Sequence, residues 1–531
     1  MPVDYWGGRL AIRFPYRPKL VEAVRTLPDR TWDSKHKVWW VPLELLPAVA
    51  ELMPELVISA AARDAYHRLQ AAGDASKATT DGVIDPNLPG GVMRPYQAAG
   101  VRYLEGKRGR ALIADEPGLG KTVQALAYIR RHPELRPVVV VCPAIVREHW
   151  RREIAKWLRW EPSAVEVLTG KSSRPLTTRD VYIVNYDVLA SWLHRLVPLA
   201  PRIVVIDESH YVKNRRAQRA AAVADLVQGA VSVIALTGTL VANRPDEALN
   251  QVRLVRPDLF PSWAAFMKRY MGAEKGAYGW KVGQPSHLQE LEERLRLHLM
   301  VRRQKSQVLA ELPELQRVTV PMGVDLADYN EVLGPLLKRL ASKALTTGQT
   351  IQDLTELRQA AARAKLAGTV EWIADLADAG NPIVVYAHHH WVLDRLAKAL
   401  GAPCLDGRTP QKQRREHIDL FQAGEVPVMV CGTRAVGVGI DLYRAQDCVT
   451  VEFDWSPSAH VQAEARLHRL GQAGSVTSYY VAAIGTIDEA MMAMLDAKQE
   501  MAEGVLGTDT PEPRVLATLI DYLTKGGSNG S

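Results

Sequence analysis

Cysteine is scarce in this chain, with four in 531 residues, at Cys142, Cys404, Cys431 and Cys448, far apart and without a C-x-x-C pair. That leaves no basis for a disulfide framework or a cysteine-based metal site; reduced thiols are expected, three of them inside strand-like apolar runs. No apolar run approaches the roughly 18 residues that a membrane span needs. Met1–Leu10 lacks the basic, apolar and small-residue order of a secretory signal. The expectation is a protein neither secreted nor membrane-bound, cytoplasmic in a prokaryote or virus and nuclear in a eukaryote. No internal repeat or low-complexity tract stands out, although the closing KGGSNGS reads as a disordered tail. No nuclease, zinc-finger or bromodomain-like motif is visible. A strong charge imbalance is missing too: 66 basic against 59 acidic residues give a formal charge of +7, a mild bias toward a polyanionic partner that charge alone does not identify.

What is present has the composition of a globular protein, 47% apolar and 24% charged, in a chain too long for one core. From Ala111 onward, short runs rich in Val, Ile and Ala recur, each closed by a polar or glycine-rich knot and followed by a helix-like stretch. They are ALIA (111–114), VVVVC (138–142), VYIVN (181–185), IVVI (203–206) and VSVIAL (231–236), then PIVVYA (382–387), VPVMVC (426–431), CVTVEF (448–453) and SYYVAAI (478–484). Continuous apolar runs suit parallel strands buried on both faces, so the alternation predicts an α/β fold of two doubly wound lobes. Between them the chain is Leu/Arg/Ala-rich, with Leu288, Leu291, Leu295 and Leu299 at helical spacing, and helical insertions bridging the lobes are expected. Asp74–Gly91, rich in Asp, Gly, Pro, Ser and Thr, reads as linker.

After ALIA come Asp115, Glu116, Pro117, Gly118, Leu119, Gly120, Lys121 and Thr122, then VQALAYI in helical rhythm. Glycines let backbone N–H groups approach phosphates, and a helix N-terminus favours negative charge. Lys121 can neutralise β/γ oxygens and Thr122 can ligate Mg2+. Asp115 stands where the generic phosphate loop has its first glycine, so on this stretch alone an ordinary strand–helix turn stays open. The strand IVVI then runs into Asp207, Glu208, Ser209 and His210. Asp207 is the candidate on the metal side, and Glu208 the candidate base that orients and deprotonates the attacking water. An acidic pair after a strand is also a common solvated turn, but together the two sites point to nucleotide hydrolysis. Farther on, Arg466 and Arg469, three apart on an expected helix, would share a face, which by itself is commonly a basic solvated face. His388, His389 and His390 are consecutive at a strand end and cannot all face one ion.

In this order the motifs resemble helicase superfamily 2, and in particular its Swi/Snf-related branch, over nearly all of residues 92–500. MRPYQAAGVRYL (93–104) is similar to the adenine-reading motif, which implies that Gln97 bonds the base with Arg94 and Tyr96 in support. CPAIVREHWRREIAKW (142–157), which contains Arg147, and IVNYD (183–187) resemble the first-lobe DNA-side motifs, and LTGTL (236–240) the one coupling hydrolysis to movement. VRRQKSQVLAELP (301–313) resembles the stretch joining the lobes. YAHHHWVLDRL (386–396), DGRTPQKQRREHIDLFQ (406–422), TRAVGVGIDL (433–442) and QAEARLHRLGQ (462–472) follow in the family's order, and the third implies nucleotide contacts at Gly439 and Asp441. The ordered context of the resemblance makes Arg466 and Arg469 candidate arginine fingers that reach a γ-phosphate when the lobes close. The chain departs from the family at Pro117, Ser209 and Arg434, where Met, Ala and a smaller residue are usual; none of these removes a group that hydrolysis needs.

Residues 1–58 are similar to the HARP-type module of annealing helicases. They read as a strand, a helix over Lys19–Leu27 and a second strand over Lys37–Val41, with Trp32, Trp39 and Trp40 among Arg9, Arg13, Arg17, Lys35 and Lys37. Trp39 and Trp40 should face opposite sides of the strand, so one of them at most is expected to be free for base stacking. The expected organisation is a small N-terminal α+β module (1–58), a linker (59–91), a RecA-like lobe that binds ATP (92–250), helical insertions (251–375), a second RecA-like lobe (376–500) and a C-terminal helix and tail (501–531). The resemblance implies an ATP- and Mg2+-dependent DNA translocase whose partner is double-stranded, forked or branched DNA, with Trp39, Trp40, Lys37 and Arg147 as DNA contacts. Superfamily 2 RNA helicases and a nucleotide-gated DNA clamp without translocation remain as alternatives.

Overall fold

The computed structural model of the chain describes residues 2–170, 175–238, 245–276, 279–341, 347–433, 440, 442–455, 457–469, 471–472, 474–493 and 495. The expected C-terminal helix and tail (501–531) therefore lie outside the described residues.

Two parallel sheets carry the molecule, as expected. The first has seven strands in the order 165–168, 181–185, 138–142, 203–207, 232–236, 110–113 and 300–301, all paired in parallel. Its central strands Val138–Cys142, Val181–Asn185 and Ile203–Asp207 are buried at every position, which is why their sequences show no polar alternation. Helices close both faces and form two apolar cores, one around Trp192 and Tyr270, the other around Trp150 and Tyr128. The second sheet orders its strands 315–322, 476–483, 447–450, 383–387, 428–432 and 404–405, again all parallel.

The region between the lobes differs from the expectation of helical insertions alone. Met300–Val301 joins the first sheet and Leu315–Met322 the second. The latter is a largely exposed strand at the sheet's edge, which tolerates Pro321 and hides its strand character behind polar residues. The 32-residue helix Thr347–Asp378 lies on the second sheet: Leu354, Leu357 and Ile373 are buried in its cores, and Lys365 donates from Nζ to the Val481 carbonyl and to Asp488, at 2.7 and 2.6 Å.

At the N-terminus five strands, 2–6, 9–12, 31–33, 38–42 and 57–58, form one mixed sheet, covered by the helix Pro18–Thr26 and others. The stretch expected to be linker contains the helix Ala60–Lys77, which buries Ala62, Ala65 and Leu69 against that sheet. It also meets the helix Leu288–His298 so closely that a Cβ on Gly73 would lie 2.7 Å from Leu297 Cδ2. The linker composition, from Asp74 on, begins in the last turn of this helix. Arg294, nearly buried, pairs with Asp29 at 2.6 Å and Glu44 at 2.8 Å and so locks the module to the first lobe's insertion. No helix among the described residues is long and apolar enough to cross a membrane.

Candidate functional site

The strand Arg110–Ile113 delivers the chain into a loop whose Gly118 and Gly120 have φ of +94° and +73°, and the helix Lys121–Arg131 begins directly on Gly120. Glycine is required at both: the backbone is left-handed, a Cβ on Gly120 would strike the Gln97 amide, and one on Gly118 would meet Arg469 Cβ at 3.4 Å. The helix has no side-chain cap, so its first N–H groups are available to an anion. Lys121 folds over the loop and donates from Nζ to the Asp115 carbonyl at 2.8 Å. Burial pushes its ammonium down, while Glu208, Asp115 and Asp207 pull it back up. Thr122 follows, half-buried, at the first turn.

Across the sheet, Asp207 closes the strand Ile203–Asp207, and the next residue, Glu208, takes a left-handed φ of +50°, a strained conformation for a side chain with a Cβ. Three neighbours fix Asp207: the Trp150 indole donates to Oδ2 at 2.8 Å, the Glu208 N–H to Oδ1 at 3.0 Å, and the Tyr186 hydroxyl to its carbonyl at 2.6 Å. Burial, then the Glu208 charge, pushes the Asp207 carboxyl up to about 6. For Glu208, burial works against ionisation, but the His210 imidazole 3.2 Å away, Lys121 and Arg466 outweigh it and hold the carboxyl below its ordinary value.

The second lobe reaches this cluster through a turn rather than a helix. The helix Pro457–Glu464 ends before either arginine, so Arg466 and Arg469 lie on successive turns and share no helical face, contrary to the expected i, i+3 arrangement. The chain tightens there because Arg466 N–H bonds Ala463 and Leu467 N–H bonds Glu464. The two address different parts of the loop: Arg466, buried, is close enough to act on the charges of Lys121 and Glu208, whereas Arg469 covers Gly118. Gly439 and Asp441 lie outside the described residues, as do Thr239 and Leu240 of LTGTL and the departing Arg434.

Tyr96 and Gln97 open the helix Pro95–Gly106, and both are buried. Gln97 accepts the Arg94 backbone N–H at 2.9 Å and donates to the Leu119 carbonyl at 3.2 Å, so it pins the helix start to the phosphate loop. The Leu119 side chain packs with Tyr96 and Leu309, leaving only its backbone to face a ligand. Arg94 is ion-paired with Glu311. The departing residues are also accommodated: Pro117 packs on Gly238, where a Cβ would lie 2.8 Å from its Cγ, and Ser209 donates to Gln251 at 2.6 Å.

Three residues of this site were not legible from the sequence. Arg303 is buried in a fork on Asp115, Nε to Oδ1 at 3.0 Å and Nη2 to Oδ2 at 2.6 Å, and also bonds the Tyr96 carbonyl. It explains why an aspartate replaces the loop's first glycine: the carboxylate anchors the inter-lobe stretch. Lys305 donates from Nζ to the His468 carbonyl at 2.6 Å and from its N–H to Glu116 at 2.8 Å, bridging the phosphate loop and the arginine turn. Trp150 sits on the helix Arg147–Leu158, in the segment expected to face DNA, and holds Asp207. Only its place eight residues after the end of the strand Val138–Cys142, and three after the expected DNA contact Arg147, hinted at a role.

The expected DNA contacts occupy two places. Arg147 donates to the carbonyls of Ala144 and Leu168 at 3.1 and 3.0 Å, tying three loop segments of the first lobe together with Asn185. In the N-terminal sheet, Trp39 faces the core and packs on Trp32, ring centroids 5.0 Å apart, while Trp40 lies on the other face against Trp6, at 5.9 Å. Lys37 ends the exposed turn between their strands at φ +52°. Trp6, 72% exposed, is the most open tryptophan of the group, and its near-terminal position gave no signal. Elsewhere, His389 pairs with Glu452 and His390 with Asp406, so the three adjacent histidines turn to different carboxylates. Cys142, Cys404, Cys431 and Cys448 are free thiols, all but Cys404 buried.

The "SNF2-related domain" matches residues 96–356 and the "Helicase conserved C-terminal domain" residues 367–471. The chain is 31% identical, over 92% of its length and 54% of the relative's, to the Xenopus tropicalis "SWI/SNF-related matrix-associated actin-dependent regulator of chromatin subfamily A-like protein 1". With the Caenorhabditis elegans homolog of that protein it shares 30% identity over 95% of this chain and 76% of the relative. Mouse "DNA annealing helicase and endonuclease ZRANB3" is 31% identical over 78% of this chain and 41% of its own length. The chain thus spans about half the length of several of these curated relatives. A solved structure, "Sulfolobus solfataricus SWI2/SNF2 ATPase core in complex with dsDNA", aligns over 83% of this chain and 99% of its own at 23% identity, with a TM-score of 0.41. With both domains matched in order and a relative of comparable length aligned across nearly the whole chain, the chain belongs to the SNF2-related family.

Proposed function

We propose that this chain is a DNA-dependent ATPase that translocates on double-stranded DNA and acts at forked or branched structures, annealing or remodelling them. The observation that carries the reading is the convergence of Lys121 at the start of its helix and the Asp207–Glu208 pair at a strand end of the first lobe with the buried Arg466 of the second, close enough for their charges to bear on one another's ionisation. The donor set suits Mg·ATP: glycine-borne N–H groups and Lys121 for phosphate oxygens, and the hard oxygens of Thr122 and Asp207 for Mg2+. When bound, the ion would neutralise charge on the transferring phosphoryl group. Glu208, kept ionised beside His210, takes the proton of the attacking water. Arg466 and Arg469 add positive charge from the second lobe only while the lobes are closed, which links each hydrolysis event to their relative movement. Relatives named as annealing helicases support a forked substrate. In the N-terminal module, Trp6 and Trp40 beside Arg9 and Lys37 offer aromatic surface next to positive charge for a junction.

Lys121→Ala and Glu208→Gln each abolish DNA-stimulated ATP hydrolysis while DNA binding persists, because one removes phosphate charge stabilisation and the other water activation. Steady-state turnover on duplex, forked DNA and RNA, with a triplex-displacement assay for movement, checks this. Unchanged turnover in the folded variants refutes the site. Stimulation by RNA alone, or hydrolysis without displacement, refutes the translocase.

A further inference from the structure

Outside the nucleotide cleft, the first lobe carries a groove of about 970 Å³ walled by two indoles and several cations. It lies between the turn that follows the acidic pair, the helix Pro245–Val255, the helix Trp263–Tyr270 and the hairpin formed by Glu274–Gly276 and Gly279–Lys281. It shares no residue with the cleft or the N-terminal module. Trp263 and Trp280 are 39% and 38% exposed, and their rings meet edge to face, with centroids 5.5 Å apart and planes at 87°. In that geometry the edge of one indole meets a face of the other, and the two rings are not stacked on each other.

The local structure holds this arrangement in place. Arg253 donates from Nε and Nη2 to the carbonyls of Phe260 and Pro261, both at 2.9 Å, fixing the loop that leads to Trp263. Ser262 caps the helix that begins with Trp263, its hydroxyl accepting the Ala265 N–H at 3.1 Å. On the opposite wall, Asn214 Oδ1 accepts the Arg216 N–H at 3.0 Å and shapes the turn that presents Arg215 and Arg216, both exposed. Two carboxylates also line the groove, Asp246 and Glu247, and Glu247 is paired with Lys213 at 2.7 Å. Cations therefore exceed anions, and the excess sits within reach of exposed aromatic faces.

We infer that this groove holds an unpaired nucleic-acid strand, with bases against Trp263 and Trp280 and phosphates on Arg215 and Arg216. The inference deepens the reading of the chain as a DNA translocase and rests on it for the identity of the strand. A duplex backbone could use the arginines but keeps its base faces stacked inside, whereas a single strand offers both unstacked rings and phosphates. The turn bearing Arg215 and Arg216 follows directly from Asp207 and Glu208 at the carboxyl ends of the sheet strands, the same edge that carries the DNA-side segments beginning at Arg147 and Tyr186. A strand leaving a duplex on that edge would thus pass the groove.

The test uses the full chain and two labelled DNAs with the same duplex, one blunt and one with a single-stranded tail of about 12 nucleotides, within the usual site sizes. The unaltered protein binds the tailed DNA more tightly. Trp263→Ala with Trp280→Ala removes about tenfold of that preference, the scale of one stacked base, while affinity for blunt duplex and the hydrolysis it stimulates stay within about twofold. Arg215→Ala with Arg216→Ala, exposed changes that leave folding intact, lowers tail affinity and flattens its salt dependence by a log–log slope of about 1.4. Bromodeoxyuridine in the tail crosslinks to residues 263–281. An unchanged tail preference in both double variants, crosslinks confined to other segments, or equal losses on blunt and tailed DNA overturn the inference. Competition by poly-glutamate equal to that by the tail would place an acidic protein partner in the groove and overturns it as well. Absence of DNA-stimulated hydrolysis in the unaltered protein would refute the translocase reading while leaving tail binding measurable.

Discussion

The nucleotide cleft and the Trp263–Trp280 groove are joined by one short stretch of chain, Glu208 to Lys213, yet they treat charge in opposite ways. In the cleft the charged groups already face protein partners: Asp207 accepts from the Trp150 indole, Glu208 faces His210, Lys121 lies on the Asp115 carbonyl, and Asp115 is forked by Arg303. In the groove, Arg215 and Arg216 stand in solvent on an exposed turn. Buried charge in fixed geometry stabilises a transition state without reorganising, and requires a supporting network to exist at all. Exposed charge costs little to keep and contributes when a polyanion displaces its counterions. The first arrangement suits catalysis and the second suits binding.

The largest effect that sharpens this contrast is expected at the arginine turn. Arg466→Ala should lower turnover by roughly 10³-fold, the scale of a lost arginine finger, with ATP affinity changed far less. Arg469→Ala, whose side chain starts over Gly118, should lose less turnover and more nucleotide affinity. Single-turnover hydrolysis with nucleotide titrations separates the two. If both variants keep near-normal turnover and lose only DNA affinity, these residues belong with the groove's cations, and the contrast between catalytic and binding charge fails at this point.

A smaller effect concerns the cost of the cleft's preorganisation. The Asp207 carboxyl sits at about 6 against an ordinary 3.8, so the folded protein holds this proton more tightly than the unfolded chain. The stability from this group is therefore fully present below about pH 4 and is lost as pH rises through about 6. An amide cannot ionise, and its oxygen can still accept from Trp150, while its NH2 gives up the bond that Oδ1 accepts from the Glu208 N–H and offsets part of the gain. Asp207→Asn, free of nucleotide and metal, should melt a few degrees above the unaltered protein at pH 8, with the gap closing toward pH 4, while hydrolysis is lost. A lower melting temperature at pH 8 would mean that the carboxylate stabilises the fold.

How much of this was legible in the sequence follows the same division. Strands buried on both faces, such as Val138–Cys142 and Ile203–Asp207, read as uninterrupted apolar runs and appear where expected. The edge strand Leu315–Met322 did not, because one exposed side lets polar residues and Pro321 into it. The phosphate loop and acidic pair were visible because backbone geometry dictates their residue types. Arg303, Lys305 and Trp150 were invisible because their partners are remote in sequence: Arg303 and Asp115 are brought together only by the pairing of Met300–Val301 with the strand before the loop. The helix expected to carry Arg466 and Arg469 stops at Glu464, whose carboxylate is committed to the fork of Arg317 at 2.8 and 2.7 Å and to the Tyr480 hydroxyl.

The smallest expected effect lies at Lys305, the contact between the two halves of the cleft. Its ammonium donates to the His468 carbonyl beside the arginine turn, while its backbone N–H holds Glu116 of the phosphate loop. Burial brings it down to about 8, with Arg469 and Lys121 pushing the same way and Glu116 and Glu464 opposing. As pH rises through that value the ammonium becomes a neutral amine, and a charge-assisted hydrogen bond between the lobes becomes an ordinary one, roughly half as strong. Turnover should accordingly decline modestly, by about two- to fivefold, between pH 7.5 and 9. Lys305→Met should be slower at pH 7.5 and lack this alkaline limb, because nothing at the position titrates. Lys305→Arg, charged throughout, should hold its rate to pH 9. DNA binding to a blunt duplex over the same range should be flat in all three proteins, since the lysine faces the cleft and not the DNA-side edge. An identical alkaline decline in Lys305→Met would assign the limb to another group and leave Lys305 as a packing contact of the inter-lobe stretch.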